Sequence, residues 1–430
     1  MMRAARKRQL RGFTLIELLV SLTGGLFVSL AVYALARDAS RFYQREGRQA
    51  NATLAAVVGF DRLRADIARA GFLITPNIQT DPFVCTRPEP TATELVRNLS
   101  AVQIVKDGSP SSDAITANAA QGFVADALWL AGSYSSPDEF PISGVDPAPG
   151  GAGFVVTLQL ETGAMARLGW ATADATKKSA LIASLFVAGR GLRIRDTQGD
   201  HHYGVIQGSA VTADGLPQIT LGALPALTFR QDQTKLCGIT GGGMGSQAAI
   251  VNFIRYDIRS LNDGTAYPAY ASLFAASSNS AIAEYEKNRT ELVRTELDAN
   301  VNNNTTALAI DGVEQTELAT EYAVGLEFGI TAITANPDFS NPSVAFVDRT
   351  DEGTFKSFAN SPTTSGTPQH IHAVRVRLAV RSREPDRESS IAGGRFRIGL
   401  NVGGGNSGPF ARVRTLQADV ALHNNEKAKW

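Results

Sequence analysis

Cysteine and histidine are scarce in this chain, two and five residues among 430. That leaves little material for an active site. No nucleophile on a recognisable strand–turn–helix elbow, no paired catalytic carboxylates and no His-x-x-x-His helix occur. His201 and His202 are adjacent, which on a strand sends their imidazoles to opposite faces. His370 and His372 would share a face, yet no third ligand stands at a usual spacing, and zinc normally needs at least three. Both pairs read as solvated or structural. Asp348, Asp351 and Glu352 before Gly353 form an acidic loop that does not match the spacing of a helix–loop–helix calcium site. The Gly-rich stretches 241–245 and 403–408 lack the Lys-Ser/Thr pair of a phosphate loop and read as turns. No enzymatic activity, cofactor or metal is expected.

An excess of one charge is missing as well: 41 basic residues balance 41 acidic ones, so nothing argues for nucleic acid as a partner. No repeat of fixed period is visible. Proline is absent from Phe13 to Leu73, so a helix can run through that whole stretch. The two cysteines, Cys85 and Cys237, allow a single disulfide, which would suit an oxidising compartment; two buried thiols are the alternative.

What is present is concentrated at the N-terminus. Residues 8–17 read Arg-Gln-Leu-Arg-Gly-Phe-Thr-Leu-Ile-Glu. A basic leader, 1–12, ends in Gly12, and an apolar run of 24 residues, 13–36, starts at once. At about 1.5 Å per residue this run spans about 36 Å, enough to cross a hydrocarbon core of about 30 Å. Its single charge is Glu17, an uncomfortable residue for lipid that suggests a partner in some later state. Arg3, Arg6, Lys7, Arg8 and Arg11 precede the run with no acid among them, which keeps the leader cytoplasmic and the remainder outside the inner membrane. A secretory signal would place its cleavage site after the apolar region, not before it.

This segment resembles the class III signal of type IV prepilins and type II secretion pseudopilins. The resemblance implies cleavage between Gly12 and Phe13 by prepilin peptidase, N-methylation of Phe13, and Glu17 as the assembly carboxylate. Loss of the leader would leave 418 residues with a net charge of −5.

Residues 37–72 read as the amphipathic half of the same helix. Ala56, Phe60, Leu63, Ile67 and Ala70 recur at spacings of four and three on one face, with Asp61, Arg62, Arg64, Asp66 and Arg69 opposite. Arg62 and Asp66 have the spacing of a helical ion pair. Gly24, Gly25, Gly47 and Gly59 are weak points, and Gly71 is a natural C-terminal cap before Pro76. From 73 to 430, short apolar runs are punctuated by Gly, Pro, Asn, Asp and Ser, the pattern of strands and turns. The clearest strand is 372–381, where Val and Leu alternate with Arg and Ala. Further strands are expected at 127–131, 154–160, 191–195, 203–206, 252–259, 323–330, 395–400 and 412–422, and a short helix at 280–297. The fold class expected is α+β: a long N-terminal helix, transmembrane then amphipathic, packed on an enlarged, mainly antiparallel, β-rich pilin-like headpiece, single or split.

Segments 60–72, 126–134, 374–382 and 415–424 are similar to PilW-type minor pilins. That similarity implies a low-copy subunit that primes assembly of a type IV pilus and caps it. Its partners would be the other minor pilins, the major pilin and a tip adhesin, with the inner membrane as its site before assembly and the cell surface after. Two alternatives stand beside it: a type II secretion pseudopilin at a pseudopilus tip, and a ligand- or metal-binding headpiece tethered by a prepilin anchor.

Overall fold

The computed structural model describes residues 14–230, 237–261, 267–273, 289–333, 343–359, 367–383, 399–401 and 410–425. The chain divides into two compact units, Met1–Ala52 and Thr53–Trp430. Its architecture is α+β, with an apolar N-terminal helix and a largely antiparallel β-sheet domain.

Helix α1 spans Leu15–Arg69. It passes through Gly24, Gly25, Gly47 and Gly59 without interruption. In the first unit, Leu15–Ser40 holds an 18-residue window of mean hydropathy 2.1, none of it buried. In the second unit, Ala56, Phe60, Leu63, Ile67 and Ala70 are all buried, as their spacing requires. Asp66 departs from the expected polar face: it is buried, for a reason given below. Past Arg69, Gly71 takes φ +77°, and its N–H donates to the Ala131 carbonyl at 2.9 Å, so the glycine both caps the helix and joins it to the sheet.

In chain order, α2 (Glu94–Arg97), β1 (Val102–Val105) and α3 (Asp113–Ala120) precede β2 (Ala127–Gly132). Next come β3 (Phe140–Pro147), β4 (Phe154–Leu158), α4 (Gly163–Arg167), α5 (Ala175–Leu185), β5 (Gly191–Arg195), β6 (His201–Val211), β7 (Pro217–Leu221) and the long β8 (Gln247–Arg259). β9 (Glu291–Glu296), a minimal hairpin of β10 (Ala309–Ile310) and β11 (Val313–Glu314), and β12 (Thr316–Thr320) follow. The last group is β13 (Ala323–Ile333), β14 (Val344–Val347), α6 (Glu352–Ala359), β15 (Ile371–Arg381), β16 (Gly399–Asn401) and β17 (Phe410–Ala421).

β8 organises the larger sheet because it serves two structures in succession. Residues 247–251 pair with β5, and Gln247 and Ala248 also face Pro141 and Phe140 of β3. Since β3–β4, β4–β7, β7–β6 and β6–β5 are paired as well, these six strands close into a ring. Phe140, Ile142, Val156, Leu192, Ile206 and Ile219 fill it, all fully or almost fully buried. From Asn252 on, β8 changes partners, pairing β2 on one side and β9 on the other. β1 and β12 extend that part outward. A separate five-stranded sheet has the order β14-β13-β15-β17-β16. Its inward residues, among them Leu326, Phe328, Val374 and Val376, share one core with the buried face of α1 and with Leu128, Leu130, Ile254 and Ile258.

The expected strands are found at β2, β4, β5, β6, β8, β13, β15 and β17. Of 395–400, residues 395–398 lie outside the described residues, and Gly399–Asn401 is a strand. The expected helix at 280–297 is corrected. Residues 280–288 lie outside the described residues, while Glu291–Glu296 is β9, a central strand buried at all six positions. Each of its charges has an internal partner: Glu291 with Arg289, Arg294 with Asp66, Glu296 with Arg190. Pairing of that kind lets a charged sequence occupy the middle of a sheet.

Candidate functional site

Glu17 sits in the first turn of α1, and the structure shows what its carboxylate touches there. The Thr14 backbone N–H and hydroxyl donate to Glu17 Oε2 at 3.0 and 2.9 Å, and the Glu17 N–H donates back to Thr14 Oγ1 at 3.4 Å. This is a reciprocal capping box: two donors that the helix end would leave open are satisfied by one another's side chains. The negative charge also stands at the positive end of the helix dipole. Thr14-Leu15-Ile16-Glu17 carries the S/T-x-x-E signature, so the cap could have been read from the sequence. Gly12 and Phe13, the expected cleavage pair, lie outside the described residues.

The other end of α1 is held by a buried polar cluster in the second unit. Asp66 Oδ2 accepts from the Tyr256 hydroxyl at 2.8 Å and from Arg294 Nε at 2.7 Å. Arg62 lies 3.9 Å away at the expected i, i+4 position, and Glu317 reaches both Arg62 and Arg294. The Tyr134 hydroxyl donates to the Asp66 carbonyl at 2.9 Å, while Arg69 stacks over the Tyr134 ring. Burial raises the hydroxyls of Tyr134 and Tyr256 well above the ordinary tyrosine range, and the Asp66 carboxylate raises them further. For Arg294 burial works against the charge, but Asp66 and Tyr256 outweigh it and hold the guanidinium above its usual range. Helix, β8 and β9 are therefore locked by ionised and hydrogen-bonded groups rather than by apolar packing alone. Periodicity could not show this, because Asp66 occupies a slot that the pattern assigns to solvent.

Cys85 and Cys237 form a disulfide with a sequence separation of 152. Near it, the Cys85 N–H donates to the His201 carbonyl and the His201 N–H to the Phe83 carbonyl, so the stretch around Cys85 lies along the start of β6. The bridge braces this stretch against the chain that follows β7.

The two histidine pairs are not brought together. His202 is buried with a ring nitrogen 3.3 Å from Asp196, and burial lowers its basicity against the pull of that carboxylate. His201 is pushed down to about 3 by burial, then by Arg193 and Arg195. His370 ends a 3-10 turn at the start of β15, and His372 lies within that strand. The acidic loop is a helix start: Thr354 donates to Asp351, Thr350 to Asp348, and Glu352 pairs with Lys356 and Lys106. Among the described residues no group of three or more potential ligands could hold a metal ion. The glycines at 241–243 form a 3-10 turn leading toward β8.

No family model, curated protein or solved structure matches this chain.

Proposed function

We propose that this chain is a low-copy minor subunit of a type IV pilus, inserted in the inner membrane by α1 and drawn into the filament by it. The observation that carries the reading is the pairing of one apolar helix, Leu15–Ser40, with a carboxylate, Glu17, in its first turn, the one charge between residues 13 and 36. Extraction of such a segment from lipid is tolerable where neighbouring helices replace the lipid contacts, and a carboxylate in that setting rewards one register and one neighbour over others. In this reading prepilin peptidase cleaves between Gly12 and Phe13, Phe13 is methylated, and its terminal amine meets the Glu17 of an adjacent subunit. The second unit acts as a structural and docking headpiece outside the membrane. Its bulk crowds identical lateral neighbours, which favours a place at the filament tip beside other minor pilins or an adhesin, and a role in priming assembly.

The test is incorporation. Glu17→Ala should abolish recovery of the subunit in sheared filaments while leaving its level in the inner membrane unchanged. Intact mass of assembled material should correspond to residues 13–430 with one added methyl group. Normal incorporation of Glu17→Ala, or assembled material that retains Met1, would overturn the reading. Recovery only with secretin-associated secretion components would place the subunit in a pseudopilus.

A further inference from the structure

The outward face of the five-stranded sheet differs from an ordinary solvated surface in the way its side chains are graded. Three cross-strand rows run over β13, β15 and β17: Gly325–Ala379–Thr415, Glu327–Arg377–Gln417 and Gly329–Arg375–Asp419. The middle row forms a ridge, and each flanking row opens a hollow. One hollow, of about 200 Å³, is floored by Gly325 and Ala379 and walled by Phe123. The other, of about 140 Å³, is floored by Gly329 and walled by Phe346. Neither glycine has positive φ, so backbone geometry does not require them. They keep the floor low and let an aromatic ring approach: a Cβ at 329 would stand 2.6 Å from the Phe346 ring, and one at 325 would stand 3.3 Å from that of Phe123. Along a strand the two hollows are four residues apart, about 13 Å.

The polar groups define what could lie there. Arg375 makes a two-pronged pair with Asp419, at 2.7 and 3.1 Å, and Arg377 pairs with Glu327 at 3.2 Å. With Asp348 at the rim, three carboxylates face two guanidiniums, so no spare positive charge remains for an acidic ligand. The side chains of Thr415 and Gln417, by contrast, are exposed and have no hydrogen-bond partner among the described residues. A hydroxyl and an amide, each both donor and acceptor, thus stand unused beside fixed planar carboxylate and guanidinium groups. Phe346 stays 43% exposed while Arg375 lies over its ring at 4.3 Å. Hydroxyl-matching planar groups next to exposed aromatic carbon suit a molecule with many hydroxyls and apolar C–H faces.

We propose that this face binds a neutral linear oligosaccharide, laid across both hollows over the Glu327–Arg377 ridge. The proposal does not rest on the filament reading: it concerns one face of the second unit and is read by a different assay.

The test uses the full-length protein in a zwitterionic detergent without a sugar headgroup. Maltotriose, cellotriose and triacetylchitotriose are titrated by calorimetry and by ligand-observed NMR. At least one should bind saturably. Gln417→Ala and Thr415→Val, both at exposed positions, should each weaken that binding about tenfold or more without moving the thermal transition, and Gly325→Val should abolish it by filling a hollow. Absence of saturable binding by all three trisaccharides would overturn the proposal. So would binding indifferent to Gln417→Ala and Thr415→Val, or tighter binding of a sulfated trisaccharide or an extended peptide.

Discussion

Replacing Asp66 by alanine probes the lock between α1 and the β-sheet. The carboxylate is almost fully buried and accepts hydrogen bonds from Tyr256 and Arg294. Its removal leaves the Arg294 guanidinium, 10% exposed, with the half-exposed Glu317 at 3.6 Å as its remaining ion-pair partner among the described residues, and takes from the Tyr256 hydroxyl its acceptor. Breaking a buried pair by deleting one partner costs about 3–5 kcal/mol, because the surviving charge stays desolvated. For a folded unit of about 380 residues, the unfolding entropy is about 0.8 kcal/mol/K, so a loss of about 4 kcal/mol lowers the transition by about 5 °C. Near-UV circular dichroism of the full chain in detergent reports this unit, since Tyr134, Tyr256 and Tyr322 lie in or against its core. Two variants separate the mechanism from simple cavity formation. Arg62→Ala, which removes an exposed partner, should change stability by less than about 1 kcal/mol. The combination of Asp66→Leu, Arg294→Met and Tyr256→Phe removes donors and acceptor together and should recover most of the loss. A shift below about 1 °C for Asp66→Ala, or a triple variant no better than the single one, would refute the reasoning.

Three further outcomes follow from the same geometry. His201 is neutral in the folded chain down to a pKa of about 3 but ordinary, near 6.5, when unfolded, so the unfolded state gains the proton first. Stability should therefore fall as the pH drops from 6.5 toward 3, by at most about 1.4 kcal/mol per unit, and urea midpoints of His201→Gln should fall less over that range. Reducing Cys85–Cys237 releases a loop with a sequence separation of 152, and the chain-entropy account sets the loss at no more than about 5 kcal/mol, measured by urea unfolding with and without reductant. Gly59→Ala should destabilise by about 1–2 kcal/mol although alanine favours helices, because its Cβ would meet the Ala319 carbonyl oxygen at 2.2 Å; Gly47→Ala, with open space around it, should be neutral or stabilising in the same thermal assay.

Sequence periodicity located what apolar spacing controls. The buried stripe of α1, the Gly71 cap and the alternating strand β15 were legible because burial follows the period of the element. Strands that break the pattern were not. β3 contains Pro141, Gly144 and Pro147, and β7 begins at Pro217, residues that ordinarily mark loops. β9 carries Glu291, Arg294 and Glu296, whose burial depends on partners up to 228 residues away in the chain. Gly59 read as a weak point in the helix, whereas the structure uses its missing side chain to bring α1 against Ala319 and Thr320. At Glu17 both the unusual charge and the capping pattern with Thr14 are written in residues 14–17, and the described contacts of the carboxylate are with that neighbouring threonine. The ligand-sized hollows on the C-terminal sheet were invisible, since Gly325 and Gly329 acquire meaning only once Phe123 and Phe346 are placed over them.

The way β8 changes partners also describes how the chain can be taken apart. The backbone leaves β2 at Gly132 and comes back opposite it on β8 at Asn252, since these two residues are Cα partners. The six paired segments of the closed ring, β3 to β7 and residues 247–251 of β8, all lie between them. The ring is thus spliced into the β2–β8 pair, with the Cys85–Cys237 disulfide and the Arg190–Glu296 pair as further ties to the rest of the unit. Both ends of the insert meet at one point, so its length can grow or shrink over evolutionary time without rethreading the parent sheet. The ring's strands are contiguous in the chain and residues 247–251 complete it, so every strand of the ring is synthesised before β9 and the C-terminal sheet.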